Sequence, residues 1–364
     1  GDLDCAGMTV TATIGAASVA ATGVETRGSV VLRGARIEGE ITLLAARIGA
    51  DLDCTGTVLH NPGGNALQLS RATIAGAFLL RDKAAIDGAL ALTGATLGSL
   101  HDDADSWPGP GDLLLNRCLY QSFIGGPVDA ESRLAWLSRQ KPERWGEDFW
   151  PQPYEQVAAV LQEMGHEDDA RTVLIEKERL QRRARRERVA NPVARAGYAV
   201  IDAILKVTVA YGRQPLLAFV WLLFFWLVGV IVFGLAENQG AFRPTSPVVL
   251  RQAEWTLCGI PATEQRVLAA TGQPASGRAL PGQTQLDCFR AQWEAASFPV
   301  FSPWMYSLDN MLPVLDLEQK AVWSPDPDKP LGALARLYFY LQAMLGWTLS
   351  LLAVAGFSGL VRLR

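Results

Sequence analysis

Histidine is nearly missing from this chain of 364 residues. His60, His101 and His166 fall in different loops or turns, so they form no metal-ligand set and no general base with an orienting partner. Also missing are a Gly-x-Gly-x-x-Gly run after a strand, a Cys-x-x-Cys pair and a haem-attachment pattern. These absences count against dinucleotide, dithiol and haem chemistry, and the sequence predicts a protein that is no enzyme and needs no cofactor or metal. An excess of charge of one sign is lacking as well. Lys and Arg number 33 and Asp and Glu 37, for a net charge of −4, which argues against a nucleic-acid partner. The mean hides a segregation. Lys177–Arg188 carries seven basic residues, Lys177, Arg179, Arg182, Arg183, Arg185, Arg186 and Arg188, whereas Pro215–Leu235 carries no charge at all.

What is present first is repetition. The segments Gly28–Ile37, Gly39–Ile48, Asn65–Ile74, Gly76–Ile86 and Gly88–Leu97 share a Leu-x-Leu pair, then Ala-x-Ile or Ala-x-Leu, then in most cases Gly. Leu32, Leu43 and Cys54 are 11 apart, as are Leu69 and Leu80. A spacing of two within each pair puts both members on one face of a strand, which no helix could do. Residues 1–124 are therefore expected to form a right-handed parallel β-helix, a solenoid with two units per coil. His60–Gly64 and Asp102–Gly111 are expected to bulge from it as loops. Cys5, Cys54 and Cys118 fall in its inward slots. The chain opens inside a repeat, Gly1–Gly7 matching Asp51–Gly56, and this predicts further chain upstream of residue 1.

Residues 127–213 change to helical spacing. Ala130–Gln140, Tyr154–Met164 and Glu167–Arg188 read as helices that cap the solenoid and form a basic neck. Val193–Tyr211 is mostly apolar with Asp202 and Lys206 as an i,i+4 pair. Either it lies in the membrane interface or it is a buried helix of the neck.

Pro215–Leu235 is 21 residues long with no strongly polar residue, enough to cross a bilayer. Leu337–Val361 is a second such run, broken by Gln342, Thr348 and Ser350 and bracketed by Arg336 and Arg362. Transmembrane helices are expected over 214–236 and 336–361. The basic residues before the first span, with Arg362 and Arg364 after the second, predict cytoplasmic termini and an extracytoplasmic loop over 237–330. The basic neck residues then either touch anionic lipid headgroups or serve only as an orientation signal. Cys258 and Cys288 are the cysteines of the external loop, and either pair as a disulfide or stay as two thiols.

Within the loop, Ser302-Pro303 marks a helix start and Pro313 its stop, predicting a short apolar helix over 302–312. Outer span, short helix and inner span follow the order of a pore-loop channel. In that arrangement Tyr306 lies on the re-entrant helix, and Asp309 and Asp316 form acidic rings favouring cations. Alternatively the helix lies on the outer leaflet with both aspartates in water.

Tyr154–Arg179, Val209–Pro215, Phe301–Gln319 and Val354–Arg364 together resemble the C-terminal region of a bacterial family of repeat-containing, two-span membrane proteins. Its members are often labelled pentapeptide-repeat proteins or "membrane-associated oxidoreductase". The solenoid repeats resemble degenerate pentapeptide repeats in style. Tyr306–Leu317 resembles, more distantly, the pore segment of potassium-channel-like modules, but no Thr-x-Gly-Tyr-Gly run follows it. The sequence thus predicts a multidomain β + α membrane protein of the bacterial cytoplasmic membrane. Two functions follow: a homo-oligomeric, channel-like or gated assembly with a solenoid that senses or docks, or a membrane-anchored scaffold whose solenoid binds partner proteins without a pore.

Overall fold

The computed structural model describes residues 1–11, 17–212, 214, 216–259, 285–291 and 298–357. The chain divides into two compact units, Gly1–Asp202 and Ala203–Arg364.

The first unit begins with a parallel β-solenoid of about five turns. Strand pairing carries Leu3 to Val30, Val30 to Leu52, Leu52 to Phe78, Phe78 to Leu100 and Leu100 to Phe123. The steps from Val30 to Leu52 and from Phe78 to Leu100 are 22 residues, two 11-residue units per coil. The Leu-x-Leu positions point inward without exception along the middle coils: Leu32, Leu43, Cys54, Leu69 and Leu80 are all buried, as are Ile37, Ile48 and Ile74 of the Ala-x-Ile step. Each coil alone could cover only one side of these side chains; stacking covers the other. Burial in this apolar column pushes the Cys118 thiol up to about 12 and raises that of Cys54 further, so both sulfurs are packing groups.

The glycine that closes most repeats has a steric cause. A Cβ on Gly98 would stand 2.4 Å from the Ala75 carbonyl oxygen, and one on Gly49 2.5 Å from that of Arg27. At Gly49 and Gly98 the preceding coil approaches too closely for a side chain, while Arg27 and Ala75 occupy the same corner in alternate coils. His60–Gly64 departs from the expected loop. It runs inside a continuous strand, Val58–Gln68, and is accommodated as a register shift against Ala85–Ala91. Asp102–Gly111 does leave the sheet, through a 3₁₀ turn at Ala104–Ser106.

Three helices follow, α1 (Ala130–Leu137), α2 (Gln152–Glu163) and α3 (Glu167–Glu187). Trp136, Leu137, Val157, Leu161 and Val173 join the same core as the last coil, so the neck continues the solenoid rather than hanging from it. Arg133 of α1 is wholly buried against Asp102, donating to its two carboxylate oxygens at 2.7 and 2.9 Å. Its guanidinium also lies 3.6 Å from the centre of the Phe123 ring. α4 (Pro192–Val209) comes next and crosses the boundary between the units.

The second unit contains two helices long and apolar enough to cross a membrane, α5 (Leu216–Asn238) and a later one, α11 (Gly332–Phe357). Between them the described chain forms α6 (Pro247–Arg251), α7 (Ala253–Cys258), α8 (Gln285–Arg290), α9 (Pro303–Met311) and α10 (Gln319–Val322). α11 covers Gly332–Phe357 and starts before the expected residue 336. Arg213, Pro215, Arg362 and Arg364, and the end of the second expected span, lie outside the described residues. Phe242–Pro244 pairs antiparallel with Trp323–Pro325, tying the chain after α5 to the chain before α11.

Candidate functional site

α9 is built as the sequence predicts at its ends. Ser302 is extended and its hydroxyl accepts from the Met305 amide, while Pro303 occupies the first helical position. Leu312 has left the helix, as the residue before Pro313 should. Its surroundings are the finding. Rather than lying apart on a surface, α9 packs against both long apolar helices. Pro303 lies beside Gly234 of α5. One turn on, the Ser307 hydroxyl donates to the Trp226 carbonyl at 2.9 Å, and the Trp226 indole donates to the Trp304 carbonyl at 3.1 Å. At its far end Met311 clusters with Leu222 of α5 and Leu349 of α11. At about 1.5 Å per residue, Leu222 is roughly 24 Å along α5 from its Asn238 end.

The chain then turns back. Asp309 accepts from the amides of Leu317 and Lys320 at 3.0 and 2.9 Å, and the Lys320 ammonium stands 3.3 Å from the same carboxylate. Trp323 donates to the Pro299 carbonyl at 3.0 Å, closing the hairpin next to the strand that follows α5. Segment 298–325 therefore enters and leaves at one end of the helix pair and reaches deep between them.

Two glycines make room for it. A Cβ on Gly229 would stand 2.2 Å from the Ser307 hydroxyl oxygen, and one on Gly346 would stand 1.9 Å from the Met311 carbonyl oxygen. A polar network fills the contact. Gln342, fully buried in the middle of α11, donates to Ser307 Oγ at 2.7 Å and accepts from Asn310 Nδ2 at 2.9 Å. Tyr338 donates to the Phe225 carbonyl at 2.7 Å. Ser307, Asn310 and Gln342 were not singled out as a set by the sequence. The available signal was Gln342 as a polar residue inside an otherwise apolar run.

The expected site residues divide. Tyr306 is buried in an aromatic box, its ring 4.9 Å from that of Phe233 and 5.3 Å from that of Phe242. Asp309 corrects the expectation of an acidic ring. It is fully buried and committed to two backbone amides and Lys320, so it neither faces a water path nor lies in bulk water. Asp316 is exposed at the turn, its carboxylate accepting from the Glu318 amide at 3.1 Å, and Glu318 is exposed beside it. Cys258 and Cys288 are joined by a disulfide that fixes α7 to α8.

The basic neck is also rearranged. Lys177 is buried between Glu155 and Glu178, at 2.9 and 3.5 Å, and so is withdrawn from any lipid. Arg179 pairs with Glu176, Arg183 with Glu187 and Arg188 with Asp148. Asp202 pairs with Arg182 and Arg186 instead of the expected Lys206, because α4 folds back beside the end of α3. Among the described residues no group of three or more His, Cys, Asp and Glu side chains could hold a metal ion.

No family model, curated protein or solved structure matches the chain.

Proposed function

We propose that the protein is a non-enzymatic, homo-oligomeric, channel-like membrane assembly in which hairpin 298–325 is a re-entrant segment. On this reading α5 and α11 span the bacterial cytoplasmic membrane, with both termini cytoplasmic and 237–330 entering from the outside. The right-handed solenoid is then a cytoplasmic sensing or docking module. The protein belongs, on the same reading, with the two-span repeat proteins that residues 127–364 resemble.

One observation carries the proposal. If α5 and α11 cross a bilayer whose apolar core is about 30 Å thick, the turn after Met311 lies in its inner half. That turn is non-helical, Val314 is 93% exposed, and Asp316 and Glu318 carry exposed charges. Lipid cannot solvate open backbone or carboxylates, so such a segment persists only against other protein or lining water. One copy supplies neither cover, whereas several copies around an axis supply both, with Asp316 and Glu318 of each facing a shared aqueous path that favours cations.

The test is to reconstitute the full chain in liposomes and measure cation flux beside thiol labelling of Asp316→Cys. The proposal predicts flux that Asp316→Asn with Glu318→Gln lowers or renders less cation-selective, and labelling of position 316 by a charged, water-borne reagent. Tight liposomes together with an unreactive position 316 would contradict it and leave a membrane-anchored scaffold.

A further inference from the structure

The neck carries a surface that the hairpin does not use. In α4, Val193, Gly197, Val200, Ile201 and Ile204 share one face, and Arg195, Asp202 and Lys206 the opposite one. The apolar face is uncovered: Val193 is 79% exposed, Val200 59% and Ile201 52%. On the polar side, Arg182, Arg185 and Arg186 of α3 and Val189 line a cleft of about 370 Å³ together with Tyr198 and Asp202 of α4. Asp202 accepts from Arg182 at 3.2 Å and from Arg186 at 2.5 Å. Arg182 is also 3.7 Å from Glu178, whereas Arg185 has no carboxylate partner among the described residues and Arg186 shares its one carboxylate with Arg182. Three arginines against Asp202 and Glu178 leave the cleft net positive, with Arg185 as the unmatched charge. Most of the remaining basic run is matched by nearby carboxylates, so this is where its unmatched charge collects.

We infer that α4 lies in the membrane interface and that this cleft takes the phosphate of an anionic phospholipid headgroup. Charge selects the occupant, since a guanidinium fork matches phosphate oxygens in a way that a neutral surface does not. The opposite face of the same helix selects the setting. An apolar stripe beneath an arginine-lined flank buries itself at the boundary between headgroups and acyl chains, with the polar flank at phosphate level. The chain leads from α4 into the apolar α5 within a few residues, which keeps α4 at a membrane surface. The inference rests on the membrane reading of α5 and α11.

Native mass spectrometry of the detergent-extracted full chain, titrated with short-chain phosphatidylglycerol or phosphatidylcholine, tests it. Preferential phosphatidylglycerol binding is expected, weakened roughly fivefold by Arg185→Ala, as one basic residue near an anionic surface should contribute. Arg171→Ala, on the same helix but paired with Asp168, should leave it unchanged. Thermal melting by circular dichroism checks that Arg185→Ala folds. Equal binding of the two lipids, or no effect of Arg185→Ala, overturns the inference while leaving the membrane reading intact. Displacement of the lipid by equimolar inorganic phosphate would overturn the lipid assignment in favour of free phosphate. A chain recovered from cells without detergent in the soluble fraction overturns the membrane reading and this inference together.

Discussion

At the scale of single residues, the strongest commitment in the first unit is Arg133 with Asp102. Both side chains are essentially removed from solvent, and Asp102 also accepts from the Trp107 indole at 2.7 Å. Removing one partner would strand the other charge in an apolar joint. Arg133→Ala is therefore expected to destabilise the first unit by about 3–5 kcal/mol, read as a fall in its thermal midpoint. The double variant Arg133→Met with Asp102→Leu should recover most of that loss, because no buried charge then remains. A single variant that melts like the parent would contradict this account of the joint. Nothing in the sequence announced the pair. Asp102 sat at the start of an expected loop and Arg133 within a helix, 31 positions apart, and only the last coil brings them together.

At the scale of elements, the solenoid was the most legible part of the chain. Its inward slots repeat at 11 residues because each unit must offer the same apolar pair to its neighbours above and below. The corner glycines were legible as a pattern, but their cause needed the structure. Gly98→Ala places a methyl group within 2.5 Å of two carbonyl oxygens of the preceding coil, at the point where the two strands shift register. It should cost about 1–3 kcal/mol by thermal unfolding, as overpacking does elsewhere, and unchanged stability would refute the close approach. His60–Gly64 was misjudged because Pro62, Gly63 and Gly64 read as a turn. Parallel pairing of Val58–His60 and of Asn65–Gln68 instead carries this stretch through the sheet as a bulge. In the neck, a run of basic residues reads as a basic surface, yet carboxylates from α2, from the chain before it and from α3 and α4 match most of it. Those partners come from elements whose packing no local pattern reveals.

At the scale of the whole molecule, the two long apolar helices were evident from composition, since a 20-residue run without charge has few other uses. The short helix between them was evident from Ser302-Pro303 and Pro313. Its insertion between α5 and α11 was not, because it depends on Gly229, Gly346, Ser307 and Asn310, each unremarkable where it stands in the sequence, and on Gln342, legible only as a polar break in an apolar run. Together they let a hairpin with an exposed, charged turn penetrate beside helices that have the length of a membrane span. A single copy leaves that turn uncovered. The most direct measurement is thus the copy number of the full-length particle in nanodiscs, by mass photometry. The account predicts a closed ring of four or more copies, able to surround a water-filled path lined by Asp316 and Glu318. A monomer or dimer would leave too few helices to enclose one and would contradict it.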